Sequence, residues 1–117
     1  MEEQLVSFET AKILMNLNAH KDKDLRSATK KSYIIHRPTG ELLQFIAPPQ
    51  AILQKWLREK YNIHIMIDRL DRQLATKTIG YTYILFDYIG ADEPNETIFK
   101  TYEEALEQAL QEALNLI

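Results

Sequence analysis

Within one stretch, PPQAILQKWLREKYNIHIMID (48–68), the apolar residues of this chain change their period. Up to Tyr61 they recur about every 3.6 residues, as on a helix, and from Ile63 about every 2, as on a strand. A helix must therefore hand over directly to a strand, which restricts the fold to one that contains both. Pro48 and Pro49 mark the helix start, because proline cannot donate to a ladder but suits a first helical turn. Ile52, Leu53, Trp56, Leu57 and Tyr61 then fall on one half of the helix, and Gln54, Lys55, Arg58 and Glu59 on the other. Asn62, tolerant of left-handed backbone, is placed to end the helix. Ile63, Ile65 and Ile67 alternate with His64, Met66 and Asp68, so one strand face is predicted to be buried.

The rest of the chain extends this pattern. Ser7 is a candidate cap for a first helix to about Leu17, with Phe8, Ala11, Leu14 and Met15 apolar and Glu9, Lys12 and Asn16 polar. Residues 18–31, NAHKDKDLRSATKK, show no apolar period and are expected to form a flexible basic loop. Residues 33–36 and 42–46 flank Arg37-Pro38-Thr39-Gly40, the signature of a β-hairpin. DRLDRQLATKTIG is expected to be a connecting loop, with room for short strand character near its ends, leading to the strongest strand, 81–89, aromatic and β-branched almost throughout. GADEPNE is expected to turn, and 97–100 to add a short strand. Thr101-Tyr102-Glu103-Glu104 is a capping box. The helix it opens sets Tyr102, Ala105, Leu106, Ala109, Leu110, Ala113, Leu114 and Ile117 on one face. The predicted fold is α+β, in the order α-β-β-α-β-β-(β)-α: one antiparallel sheet of about four strands with three helices packed on it. At 117 residues it is expected to be a single domain, 1–117.

No cysteine is present, which excludes disulfides, thiolate metal sites and cysteine nucleophiles. The acidic start, MEEQLVSFETAKILM, is unlike a signal peptide, and no apolar run approaches the roughly 20 residues of a membrane span. A cytoplasmic protein with no membrane partner is the expectation. The histidines His20, His36 and His64 lack ligand spacing, the serines Ser7, Ser27 and Ser32 lie in no nucleophile motif, and Gly40, Gly80 and Gly90 form no phosphate loop. No catalytic residue, metal or cofactor is assigned. The nearest approach to an enzyme site is a cluster of His64, Asp68 and Asp71, for which a solvated surface is the simpler reading.

Net charge is −3, but it is unevenly spread. Lys21, Lys23, Arg26, Lys30 and Lys31 crowd one segment, whereas acidic residues dominate from Asp87 onward. Opposite charges on one chain can attract within it or between copies. With the apolar strand at 81–89, they favour a non-catalytic interaction or structural accessory protein that self-associates or takes a protein partner. Its expected surface includes those five cations with Tyr81, Tyr83 and Tyr88. Nucleic-acid binding is the alternative, either through Gln54, Lys55 and Arg58 on one helix or by stacking on Tyr81 and Tyr83 beside His64. Negative overall charge and the lack of an adjoining partner helix count against it.

SFETAK, the hairpin around Tyr33 and Gly40, APPQAILQKWLREKYNIHI and TYEEALEQALQEALNLI together resemble a small uncharacterised family of gut bacteria and their phages. The resemblance covers nearly the whole chain apart from 18–31. It implies a prophage or mobile-element setting and carries over no catalytic residue.

Overall fold

A computed structural model describes residues 4–71, 79–87, 90–91 and 97–117. In chain order the elements are α1 (Phe8–Asn16), a 3₁₀ turn (Ala19–Lys21), α2 (Lys23–Ala28), β1 (Ser32–His36), β2 (Leu42–Ile46), α3 (Gln50–Tyr61), β3 (His64–Asp71), β4 (Ile79–Asp87), β5 (Gly90–Ala91) and α4 (Tyr102–Asn115). The class is α+β, as the periods predict. Among the described residues, however, the strands form two antiparallel sheets, β1–β2 and β3–β4–β5, rather than one four-stranded sheet, and there are four α-helices rather than three. Two compact units emerge, Met1–Trp56 and Leu57–Ile117, with the division falling inside α3.

In the first unit, Ser7 caps α1 by accepting a hydrogen bond from the Thr10 amide at 3.3 Å, and Glu9 pairs with Lys12 at 3.5 Å on the exposed side. Ala11 and Leu14 are fully buried. Phe8 meets Tyr33 and Phe45 edge-on, with ring centroids 5.6 and 5.2 Å away, so α1 covers one face of the β1–β2 hairpin. Arg37-Pro38-Thr39-Gly40 makes the expected turn, with Gly40 at φ 89° and its amide bonded to the Arg37 carbonyl at 2.9 Å. Beyond Ala47 the ladder stops. The Val6 amide bonds to the Pro48 carbonyl at 3.0 Å, and Leu5 pairs with Pro49. The chain's own N-terminal segment thus pairs with Pro48 and Pro49, just past the end of β2.

The predicted basic loop at 18–31 is instead helical over most of its length. Asn18 adopts left-handed backbone at φ 59°, ending α1 and starting the 3₁₀ turn. Asp22 then caps α2, its carboxylate accepting from the amides of Asp24 (3.0 Å) and Leu25 (3.1 Å). Leu25 is 1% exposed and anchors a helix of only 6 residues. One buried leucine leaves no repeat to detect, which is why apolar periodicity missed the element.

In the second unit, Asn62 ends α3 at φ 55° as expected. β3 pairs with β4 from His64↔Phe86 to Asp71↔Ile79, so both ends of the connecting segment 68–80 carry the short strand character expected there. Ile65 and Ile67 lie opposite Leu85 and Tyr83, and α4 packs across both strands on this face. Thr101 caps α4, accepting from the Glu104 amide at 3.1 Å, and Ala105, Leu106, Ala109, Leu110, Ala113 and Leu114 are all buried. Tyr102 and Ile117, predicted for that face, are each 42% exposed at its ends. The strand expected at 97–100 is a single bridge, in which Tyr81 and Phe99 exchange two backbone hydrogen bonds of 2.8 Å. Gly90 and Ala91, read as part of a turn, pair with Asp87 and Phe86. A Cβ on Gly80 would run into the Ile98 side chain, so glycine here permits a close approach.

Candidate functional site

The register of the β1–β2 hairpin decides which residues it offers to the outside. Tyr33↔Phe45 and Ile35↔Leu43 share the face under α1, whereas Ser32↔Ile46, Ile34↔Gln44 and His36↔Leu42 share the other. On that outer face Ile34 is 56% and Leu42 61% exposed. Two large aliphatic side chains thus stand in water on a sheet that has two strands among the described residues. The sequence is apolar on both faces of this hairpin, but one helix can cover only one of them.

The hairpin edges are open as well. Arg37 donates to the Glu41 carbonyl and Ala47 to the Lys31 carbonyl, at 2.8 and 2.9 Å. The alternation of an antiparallel ladder then turns the backbone groups of Tyr33, Ile35, Leu43 and Phe45 inward. Those of Ser32, Ile34 and His36 point off one edge, and those of Leu42, Gln44 and Ile46 off the other. Among the described residues, no backbone hydrogen bond joins these six to a further segment.

Beside β2 lies a cleft of about 380 Å³, lined by His20, Lys21, Arg26, Gln44 and Ile46. The 3₁₀ turn and α2 form its cationic wall, and β2 forms its polar and apolar wall. The His20 Nδ1 is buried with no hydrogen-bond partner among the described residues. Gln44 donates through Nε2 to the Ser32 Oγ at 2.9 Å, which fixes its amide across the outer face.

Of the surface residues expected from sequence, Lys21, Lys23, Arg26, Lys30 and Lys31 are all exposed. Among the described residues none of them has an ion-pair partner, unlike Lys12 with Glu9 and Arg37 with Glu41. The tyrosines depart from expectation. Tyr83 is 3% exposed, its hydroxyl donating to Glu112 on α4, and Tyr81 is half-buried, edge-on to Tyr102 at 6.3 Å. Both point to the helix-covered side of their sheet and His64 to the opposite side, so they form no stacking platform with it. The aromatic, β-branched run at 81–89, expected to contribute to a contact surface, supplies β4, which among the described residues is the middle strand of its sheet. Tyr88 lies outside the described residues.

His64 is exposed and its Nε2 lies 3.0 Å from Asn62 Oδ1. Asp68 shares its strand face but is four positions on, so the two Cα atoms stand about 13 Å apart at about 3.3 Å per residue, too far to act on one atom. The side chain of Asp71 lies outside the described residues. On α3, Lys55 and Arg58 are exposed and Gln54 is half-buried.

Sequence reasoning missed Ile34, Leu42, His20, Gln44 and Ile46. The available signal was the hairpin itself, whose strands carry apolar residues at both parities. No protein-family model matches this chain, nor does any curated protein or solved structure. Among the described residues no helix is long and apolar enough to cross a membrane, and no group of three or more histidine and carboxylate side chains converges on a metal position.

Proposed function

We propose that this chain is a non-catalytic interaction protein that engages another polypeptide through the outer face and edges of the β1–β2 hairpin. The observation that carries this reading is the exposure of Ile34 (56%) and Leu42 (61%) on the outer face of the hairpin, whose other face is covered by α1 at Tyr33 and Phe45 and leaves Ile35 37% exposed. A hairpin alone is marginal in water, and exposed apolar side chains beside open strand edges are features that a partner would cover. The prophage or mobile-element setting implied by the resemblance belongs to the same proposal.

Selection of a random displayed peptide library against the chain tests it. Enriched peptides should bind the wild type and lose binding to an Ile34→Asp/Leu42→Asp variant that keeps its far-UV circular dichroism. A chain that enriches no peptide and stays monomeric by light scattering at micromolar concentration overturns it. The cations Lys21, Lys23, Arg26, Lys30 and Lys31, which have no ion-pair partner among the described residues, favour a second reading, nucleic-acid binding. Loss of retention on DNA even at low salt removes that one.

A further inference from the structure

The cleft beside β2 joins three features that seldom coincide: an open strand edge, an apolar stripe and a cationic wall. We infer that it takes an extended segment of another protein in which carboxylate and aliphatic side chains alternate, added to the sheet as a strand along Leu42, Gln44 and Ile46. This rests on the interaction reading above and names the partner's chemistry.

A strand edge presents donors and acceptors in alternation, and an incoming strand satisfies both kinds. Side chains of such a strand point alternately to the two faces. Those on the outer face would lie against Leu42 and Ile46, extending the stripe that includes Ile34. Lys21 and Arg26, which have no ion-pair partner among the described residues, line the same cleft as Gln44 and Ile46 and would meet the incoming strand's charged side chains. Carboxylates meet both cations there, and Arg26 can bind one through two parallel hydrogen bonds.

Two other occupants fit less well. A second copy of this chain laid antiparallel on β1 about Ile34 would set Lys31 opposite Arg37, and like charges directly opposed destabilise a pair. On β2 it would bring a second Lys21 and Arg26 toward the first. Nucleic acid would find cations and the imidazoles of His20 and His36, but among the described residues no larger ring stands there for bases to stack on, since Tyr33 and Phe45 face α1. Its phosphates only accept hydrogen bonds, so they could not satisfy the edge carbonyls of β2.

The test uses a capped peptide of about six residues alternating valine and glutamate, titrated into the full-length protein and followed by amide NMR and hydrogen exchange. The amides of Leu42, Gln44 and Ile46 should shift and gain protection. A Lys21→Glu/Arg26→Glu variant should bind about tenfold or more weakly, and salt should weaken wild-type binding. A valine–lysine peptide should not bind, nor should the valine–glutamate peptide with its edge-facing amides methylated. Equal binding of the valine–lysine peptide overturns the acidic partner while leaving the interaction reading intact. So does protection of the same amides by raising protein concentration alone, which would assign the edge to a second copy. Tighter binding of a single-stranded oligonucleotide at these amides overturns both.

Discussion

Substituting Leu25 tests the element on which the cationic wall depends. An isolated helix needs about 12–15 residues to hold together in water, and α2 has 6. Its attachments are the Asp22 cap at one end, the Thr29 hydroxyl bonded to the Leu25 carbonyl at 2.7 Å at the other, and the 1% exposed side chain of Leu25. Leu25→Ala removes three buried carbon groups, which at about 0.8 kcal/mol each is about 2.4 kcal/mol of lost transfer free energy. A rigid site would add a cavity term and bring the total to about 3–4 kcal/mol. A segment this short can instead lift away and collapse the cavity, so the expected loss in urea unfolding is about 2–3 kcal/mol. Hydrogen exchange should separate the two cases. If α2 lifts, the Arg26 and Thr29 amides, which bond to Asp22 and Arg26 carbonyls, should lose protection while α1 keeps it. A loss below about 1 kcal/mol with the α2 amides still protected would refute the view that Leu25 anchors the wall.

Three further substitutions probe the other packing contacts. Tyr83→Phe removes the hydroxyl that bonds Glu112, and because that carboxylate is only half-buried and can regain water the expected cost is about 1–2 kcal/mol. In a cycle with Glu112→Gln the two effects should be non-additive, and strict additivity counts against the bond. Gly80→Ala should cost about 1–3 kcal/mol by pushing on Ile98, and an Ile98→Ala background should recover most of it. Equal costs in both backgrounds would show that the clash is not the cause. Trp56, 7% exposed, should cost about 3–5 kcal/mol on truncation to Ala, read by circular dichroism because it is the only tryptophan. A variant as stable as wild type would remove Trp56 from the core.

Much of the local structure was legible in the residues themselves. Ser7 and Thr101 cap their helices, Gly40 closes the hairpin turn, Asn62 takes left-handed backbone, and the period change at 61–63 marks the passage from α3 to β3. These are short-range effects, set by side chains acting on backbone within a few positions. The candidate site was much less legible. The cations were visible as a cluster, but a loop was expected where Asp22 and Leu25 build a helix. Tyr81 and Tyr83 were expected on a surface, and α4 covers their face instead.

Sequence alone determined α1, the hairpin, α3, β3, β4 and α4, most of their ends and the burial of α4, because alternation and caps are written along the chain, but not the 3₁₀ turn, α2 or β5. It did not determine that the strands would divide between two sheets, or which hairpin face α1 would cover. Apolar residues at both parities of 32–46 leave either face free to be the buried one, and only the packing of Phe8 on Tyr33 and Phe45 settles the choice. That choice leaves Ile34 and Leu42 in water and sets β2 beside Lys21 and Arg26, so the cleft exists only in the tertiary structure.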